Sequence, residues 1–112
     1  MALRAHVIQQ LENAEVCSDP TLRRWYLSFI VVGGGFSGVE VAGEINDLVR
    51  HSRRFYPNIS PDDISVTLVH SGDHILPELS MDLRTFAEHE MRRAGISIEL
   101  NARVAAATAD GV

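Results

Sequence analysis

The chain has 112 residues, a formal net charge of −5, 46% hydrophobic residues and one cysteine, Cys17. This length suits a single domain, and the negative charge argues against nucleic acid as the main partner because a basic surface is missing. One cysteine excludes an internal disulfide, and no apolar run approaches the roughly 20 residues that span a bilayer.

Two helices are predicted before the first strand. In residues 2–15 the apolar side chains recur at helical spacing. Asp19-Pro20 then supplies an N-cap followed by proline at the first helical position, so a short helix is expected over residues 20–27. No secretory signal is visible at the start, and a reducing, cytoplasmic location is expected.

A glycine-rich turn follows a short apolar strand, predicted over residues 28–32. The spacing Gly33-x-Gly35-x-x-Gly38 and the helical periodicity over residues 37–53 are typical of a dinucleotide-binding turn. Gly33 permits the tight turn, Gly35 leaves room for a pyrophosphate, and Gly38 lets the helix pack closely. A structural glycine loop is the alternative. The residues of the turn predicted to bind the coenzyme are Gly33, Gly34, Gly35, Ser37 and Gly38.

Ser37 has two candidate roles in this turn. Its hydroxyl suits either an N-cap of the helix or a donor to a phosphate. The helix N-terminus adds unpaired N–H groups and about half a positive charge, which favour an anion.

The rest of the chain alternates strand and helix. A proline-containing loop is expected at 54–63, a strand at 64–69 and a helix at 81–94, with Ser80 as its N-cap. Gly95 is expected to end that helix. Further strands are predicted at 96–100 and 104–109.

This order predicts an α/β fold. It is one mononucleotide half of a doubly wound sheet: a Rossmann-like three-layer domain with a central parallel sheet, truncated before its closing strands. We expect a helical lead-in at residues 1–27, and an NAD(H)-binding domain at 28–112 that is an internal piece of a longer protein. Self-association through an unpaired strand edge after Ala109 is expected.

The end of the second strand is the expected site of the adenosine ribose. An acidic residue usually holds the ribose there, but this sequence has His70 and Ser71. Both can donate to a ribose hydroxyl or to a 2′-phosphate, and no arginine favours the phosphate. NAD(H) is therefore expected first, with NADP(H) left open.

The polar face of the helix after the turn carries Glu40, Glu44, Asp47 and Arg50. The two glutamates are either exposed to solvent or directed at the reactive end of the cofactor. Near the second strand, His70, Asp73 and His74 lack a further ligand pattern, so no metal site is predicted.

Two segments resemble a known family: residues 30–44 (IVVGGGFSGVEVAGE) and 66–78 (VTLVHSGDHILPE). They are similar to the pyridine-nucleotide-binding domain of FAD-dependent NADH dehydrogenases, and in particular to type II NADH:quinone oxidoreductases. The lead-in, with Asp19-Pro20 and Arg23-Arg24, resembles the linker into this domain.

The resemblance implies an enzyme in which an FAD domain, split in sequence, surrounds this one. NADH would lie over Gly33, Gly35, Phe36, Ser37 and Gly38. Hydride would pass to FAD, and electrons would pass on to a quinone. A glutamate near the junction of nicotinamide and flavin is implied, Glu40 first and Glu44 second. No catalytic residue is expected in this chain, which alone would be inactive, and the parent would be peripheral on the cytoplasmic face of the inner membrane. The alternatives are a related flavoprotein reductase with another acceptor, an FAD-binding domain, or a non-catalytic nucleotide-sensing module.

Overall fold

The computed structural model describes residues 2–102 of the chain. Two leading helices are followed by three parallel strands that two crossover helices connect. This alternation is the Rossmann-like α/β arrangement expected from the sequence. The elements are α1 (Ala2–Glu15), α2 (Pro20–Tyr26), β1 (Ser28–Val32), α3 (Phe36–Ser52), β2 (Ser65–Val69), α4 (Met81–Arg93) and β3 (Ile96–Glu99).

The described strands lie in the sheet in their chain order, β1-β2-β3. Phe29 is aligned with Val66, and Leu68 with Ile98, so these side chains share one face. Right-handed crossovers that advance in one direction place α3 and α4 on a single face of the sheet. The core lies between these helices and the sheet, and includes Leu11, Phe29, Ala42, Ile45, Val49, Val66, Leu68, Met91, Ile96 and Ile98.

The opposite face of the sheet is more open. Ile30 and Val32 alternate with the buried face of β1 and are 36% and 53% exposed. Residues 2–102 therefore supply the sheet and one helical layer of the three layers expected for the fold class.

Helix ends follow the local sequence. The Asp19 carboxylate accepts the N–H of Thr21 at 3.0 Å, and Pro20 opens α2. The Ser80 hydroxyl accepts the N–H of Leu83 at 3.4 Å and caps α4. Gly95 has a φ of +101° directly after α4, in the left-handed region that suits glycine. These three predictions are confirmed.

The lead-in packs into the same core as the rest of the chain. Val7 and Leu11 of α1 are fully buried in it. The guanidinium of Arg23 donates to the carbonyls of Ala14 and Asn58, and so ties the start of the chain to the segment after α3. The boundary between residues 1–27 and 28–112 stays a prediction.

A buried polar cluster attaches α3 to the turn before β3. Asn46 donates to the carbonyl of Ala94 at 2.9 Å and accepts from Arg50 at 2.7 Å. Arg50 also donates to the carbonyl of Gly95 at 3.0 Å. Arg50, expected on the polar face of the helix, is half-buried through these contacts, because helical periodicity does not report which neighbour a long side chain reaches.

Predicted and observed boundaries agree to within about one residue for the helices and strands. Two short 3₁₀ turns, Arg53–Phe55 and Pro61–Asp63, occupy part of the loop expected at 54–63. The predicted strand at 104–109 and the edge after Ala109 lie outside the described residues. Within residues 2–102, every helix is too short or too polar to cross a membrane.

Candidate functional site

The turn between β1 and α3 requires glycine at two positions, for different reasons. Gly33 has a φ of +110°, and its N–H donates to the carbonyl of Val69 at 2.7 Å, which continues the pairing of β1 with β2. A Cβ on Gly38 would lie 1.7 Å from the carbonyl oxygen of Gly33. Backbone conformation therefore requires glycine at the first position, and the contact between turn and helix requires it at the second.

Gly35 is glycine for a different reason. It is the N-cap of α3 with a φ of −79°, a conformation open to other residues. A Cβ there would meet nothing within 4 Å among the atoms of residues 2–102. The space above this residue is therefore open to a ligand. Because Gly35 has no side chain, α3 begins without a side-chain cap.

Four N–H groups at this helix start are free. Val39 makes the first helical bond, donating to the carbonyl of Gly35 at 3.0 Å. In residues 2–102 the N–H groups of residues 35–38 have no acceptor, as expected for the first turn of an uncapped helix. Together with the positive end of the helix dipole, these donors have the chemistry that an anion requires.

Ser37 lies inside the first turn of α3, two residues after the N-cap. The N-cap interpretation of its hydroxyl is therefore wrong, since Gly35 occupies that position. The side chain of Ser37 is exposed, as is that of Phe36, which is 52% exposed. Both side chains are accessible to a ligand at the turn.

Gly34 is held by the connection between β2 and α4. Its N–H donates to Nδ1 of His70 at 3.0 Å, and its carbonyl accepts the N–H of Leu76 at 2.7 Å. The N–H groups of Gly33 and Gly34 thus bond within the chain, while those of the next four residues do not. Among the predicted binding residues, the first two shape the turn and the others present donors.

The role of Leu76 was not visible in the sequence. It is buried and has a φ of +49°, an unfavourable conformation for a residue with a Cβ. Its buried side chain and its bond to Gly34 hold this conformation in place. The apolar pair Ile75-Leu76 in an otherwise polar loop was the available signal, since both side chains lie in the core.

His70 and Ser71 lie at the carboxyl end of β2, as expected, but only Ser71 is fully exposed. His70 is half-buried against the glycine turn, and its Nδ1 is occupied by the Gly34 bond. The carboxylate of Glu88 is 3.6 Å from Nδ1 of His74. Residues 2–102 contain no cluster of three or more side chains suited to a metal ion.

Glu40 and Glu44 are both exposed on α3. At 1.5 Å per residue, Glu40 lies about 6 Å along the helix from Phe36, and Glu44 about 12 Å. Glu44 also borders a groove of about 520 Å³ between α1 and α3, together with Arg4 and His51. The residues that line this groove lie outside the glycine turn. Glu40, which is nearer to the turn along α3, is therefore the carboxylate more closely associated with it.

The chain matches the family described as pyridine nucleotide-disulphide oxidoreductase over residues 2–112. A type II NADH:quinone oxidoreductase of Mycobacterium tuberculosis, NdhA, is 32% identical over 113 residues, covering 100% of this chain and 24% of that relative. The mitochondrial external alternative NAD(P)H-ubiquinone oxidoreductase B1 of Arabidopsis thaliana is 38% identical over 87 residues, covering 77% of this chain and 15% of that relative.

A structure of NDH2 from Plasmodium falciparum in complex with NADH has the same fold, with a TM-score of 0.85 and 24% identity. The alignment covers 92% of this chain and 21% of that one. The chain therefore spans about a quarter or less of the length of these relatives. Since the family match extends over nearly all of its residues, the chain belongs to the pyridine nucleotide-disulphide oxidoreductase family.

Proposed function

We propose that this chain binds NAD(H) at the turn between β1 and α3. The observation that carries the proposal is the set of four unpaired N–H groups at residues 35–38, beneath the open space over Gly35. A diphosphate has the negative charge and the acceptor oxygens that these donors require. The NDH2 structure with the same fold is a complex with NADH, which supports this choice of ligand.

Each predicted site residue has a place in this proposal. The N–H groups of residues 35–38 and the Ser37 hydroxyl donate to the diphosphate, and Phe36 lies beside it. Gly33 and Gly34 give the turn its shape. His70 and Ser71 lie nearest to the adenosine ribose, at the end of β2.

We further propose that the parent protein is a flavin-dependent NADH dehydrogenase. The relatives named as NADH:quinone and NAD(P)H-ubiquinone oxidoreductases support this proposal. FAD would be held by the remainder of the parent and would supply the chemistry that accepts hydride from NADH, with a quinone as the final electron acceptor. In this chain Glu40, and secondarily Glu44, would lie near the junction of nicotinamide and flavin, as the resemblance to such flavoproteins implies. Glu40 lies about one helical turn after the glycine turn.

NADH is proposed as the preferred coenzyme over NADPH. The end of β2 has no arginine that would favour a 2′-phosphate, but it also has no carboxylate that would repel one. Discrimination is therefore expected to be weak. The name NAD(P)H-ubiquinone oxidoreductase of the Arabidopsis relative is compatible with either coenzyme.

The parent's location and assembly are proposals as well. Several relatives are named as mitochondrial and others come from a bacterium. We favour a parent that is peripheral on the cytoplasmic face of a membrane holding its quinone. Self-association of the chain through a strand edge stays a prediction.

A titration of the chain with NADH, NADPH and FAD tests the binding proposal. We expect NADH to bind, NADPH to bind more weakly, and FAD not to bind, with heat and Trp25 fluorescence as readouts. Gly35→Val should abolish NADH binding without unfolding the chain, because its side chain fills the space left for the diphosphate.

Gly43→Val is the matched control. It adds the same side chain to α3, where a Cβ also meets nothing within 4 Å, eight residues from Gly35. NADH binding should survive. Selective FAD binding, or NADH affinity unchanged by Gly35→Val, would contradict the proposal. For the parent, FAD-dependent NADH oxidation with a quinone separates an enzyme from a nucleotide sensor, which would bind NADH without oxidising it.

A further inference from the structure

The imidazole of His70 lies in a slot between two glycines. A Cβ on Gly34 would lie 2.7 Å from Cγ of His70, and a Cβ on Gly72 would lie 2.9 Å from Nε2. Both distances are too short for real side chains, so the ring fits only because both neighbours are glycine. The backbone of His70 is also held in place. Its N–H donates to the backbone carbonyl of Glu99 at 2.9 Å, and its carbonyl accepts the N–H of Ala102 at 3.0 Å.

One hydrogen bond determines which nitrogen of the neutral His70 ring carries the proton. The N–H of Gly34 donates to Nδ1 of His70 at 3.0 Å. A ring nitrogen accepts only when it carries no proton, so the neutral ring has its proton on Nε2. His70 therefore binds the turn through one nitrogen and has a single N–H donor at the other.

Gly34 is the last residue before the four free N–H groups. Its N–H is held by His70 and its carbonyl by Leu76, so both of its polar groups bond to the connection between β2 and α4. The N–H belongs to the peptide group between Gly33 and Gly34, and the carbonyl to the next one, which also carries the free N–H of Gly35. Both peptide groups are therefore oriented by that connection, and rotation of either would change the direction of the N–H groups that follow.

We propose that His70 is a positioning residue for coenzyme binding. By accepting the Gly34 N–H, it holds the turn in the shape that presents the N–H groups of residues 35–38 to a diphosphate. The inference rests on the proposed coenzyme function of this turn. It also accounts for Gly72, which lies outside the glycine motif but leaves the space that the ring occupies.

Two substitutions separate the hydrogen bond from the volume of the ring. His70→Asn keeps an acceptor bonded to Cγ, as Nδ1 is, and so can still accept the Gly34 N–H. His70→Leu fills similar space without an acceptor. We expect His70→Leu to weaken NADH binding about tenfold, since a turn donor loses its partner. His70→Asn should stay within about threefold of the wild-type chain, and rescue of this kind is not expected of a residue that only fills space.

The bond itself has a spectroscopic signature. In a ¹⁵N-labelled chain, coupling between the Gly34 amide nitrogen and Nδ1 of His70 should be detectable across the hydrogen bond, with and without NADH. His89→Leu controls for loss of an imidazole, because His89 lies exposed on α4. Its NADH affinity should equal that of the wild-type chain.

The outcomes distinguish this inference from the proposed function. If wild-type chain binds NADH and His70→Leu binds it equally well, the positioning role is overturned and the coenzyme site stands. If the coupling is present but the wild-type chain does not bind NADH, the coenzyme proposal fails, and the positioning role with it. If His70→Leu does not fold, Gly72→Ala replaces it in the test. The added methyl group would push the His70 ring out of its place, while the histidine itself stays in the chain. Loss of the coupling with about tenfold weaker binding supports the role, and unchanged affinity overturns it.

Discussion

The two strand-to-helix connections start at the same edge of the sheet, but only one of them caps the first turn of the helix that follows. Three residues, Gly33 to Gly35, join β1 to α3, and α3 begins with no side-chain cap. Residues 70–80 join β2 to α4, where the Ser80 hydroxyl accepts the Leu83 N–H. The first helix start is open to an anion, whereas the second is satisfied by the protein.

Two connections of the same topology therefore have different roles in the proposed site. The short connection leaves the N–H groups at the start of α3 free, and the long connection supports the turn through His70 and Leu76. In the proposed site, coenzyme binding therefore depends on the missing side-chain cap of α3, together with contacts from the loop before α4. The following substitutions test this division.

Gly38→Ala should have the largest effect. Its methyl carbon would lie 1.7 Å from the Gly33 carbonyl oxygen, so turn and helix must separate. We expect a loss of about 3 kcal/mol in the free energy of unfolding, the upper part of the range for overpacked sites. Urea denaturation followed by circular dichroism measures this loss. Gly43→Ala is the control and should stabilise the helix by up to about 1 kcal/mol. Equal midpoints for Gly38→Ala and wild-type chain would refute the steric argument.

Gly35→Ser gives α3 the same N-cap residue that α4 has in Ser80. Its hydroxyl would accept the N–H of Gly38, the counterpart of Leu83 at the third helical position. We expect NADH affinity to fall at least about tenfold, because the added side chain occupies the open space and takes a donor. The free energy of unfolding should rise by a few tenths of a kcal/mol, since serine is a slightly better cap than glycine. Calorimetric titration and urea denaturation measure the two effects. A variant that bound NADH normally would show that the missing cap has no role in binding.

Ser80→Ala removes the cap of the second helix. The free energy of unfolding should fall by about 1 kcal/mol, the usual cost of losing a serine cap. NADH affinity should stay within about twofold of the wild-type value, because this helix start does not contact the proposed ligand. Denaturation and NADH titration of the same preparation test both parts. A large loss of affinity would mean that α4 contributes directly to the site.

The smallest effect is expected from a region outside both connections. Burial raises the pKa of Tyr56, as do a hydrogen bond and the negative charge of Glu12. The folded chain therefore keeps the phenol proton to higher pH than the unfolded chain, whose tyrosine pKa is about 10. This contribution to stability is present below pH ~10 and is lost as the pH rises through the folded pKa. In Tyr56→Phe the decline in stability above pH ~10 should be shallower, while NADH affinity at neutral pH is unchanged. Denaturation across this pH range measures the effect, and identical profiles would contradict it.

The sequence predicted the local features of the fold well. Strands, helices and three of the helix ends followed from alternation, periodicity and capping residues, since each depends on neighbours within a few positions. The glycine spacing located the turn for the same reason. Contacts between distant segments were missed. Arg50 reaches Gly95, and His70 reaches Gly34 across 36 positions, and no periodicity records either pairing.

The sequence therefore located the glycine turn but not the contacts that support it. The position of His70 after β2 predicts a place near the ribose, which stays a prediction, and does not show that its Nδ1 binds the turn. The division of the glycine residues into those with occupied and those with free N–H groups appears only in the folded chain.

The most direct test of the account is to follow the backbone amide resonances of the ¹⁵N-labelled chain as NADH is added. Binding to the free donors predicts that the largest shifts occur at the N–H groups of residues 35–38. Shifts concentrated at the groove between α1 and α3, around Arg4 and His51, with the glycine amides unmoved, would contradict it.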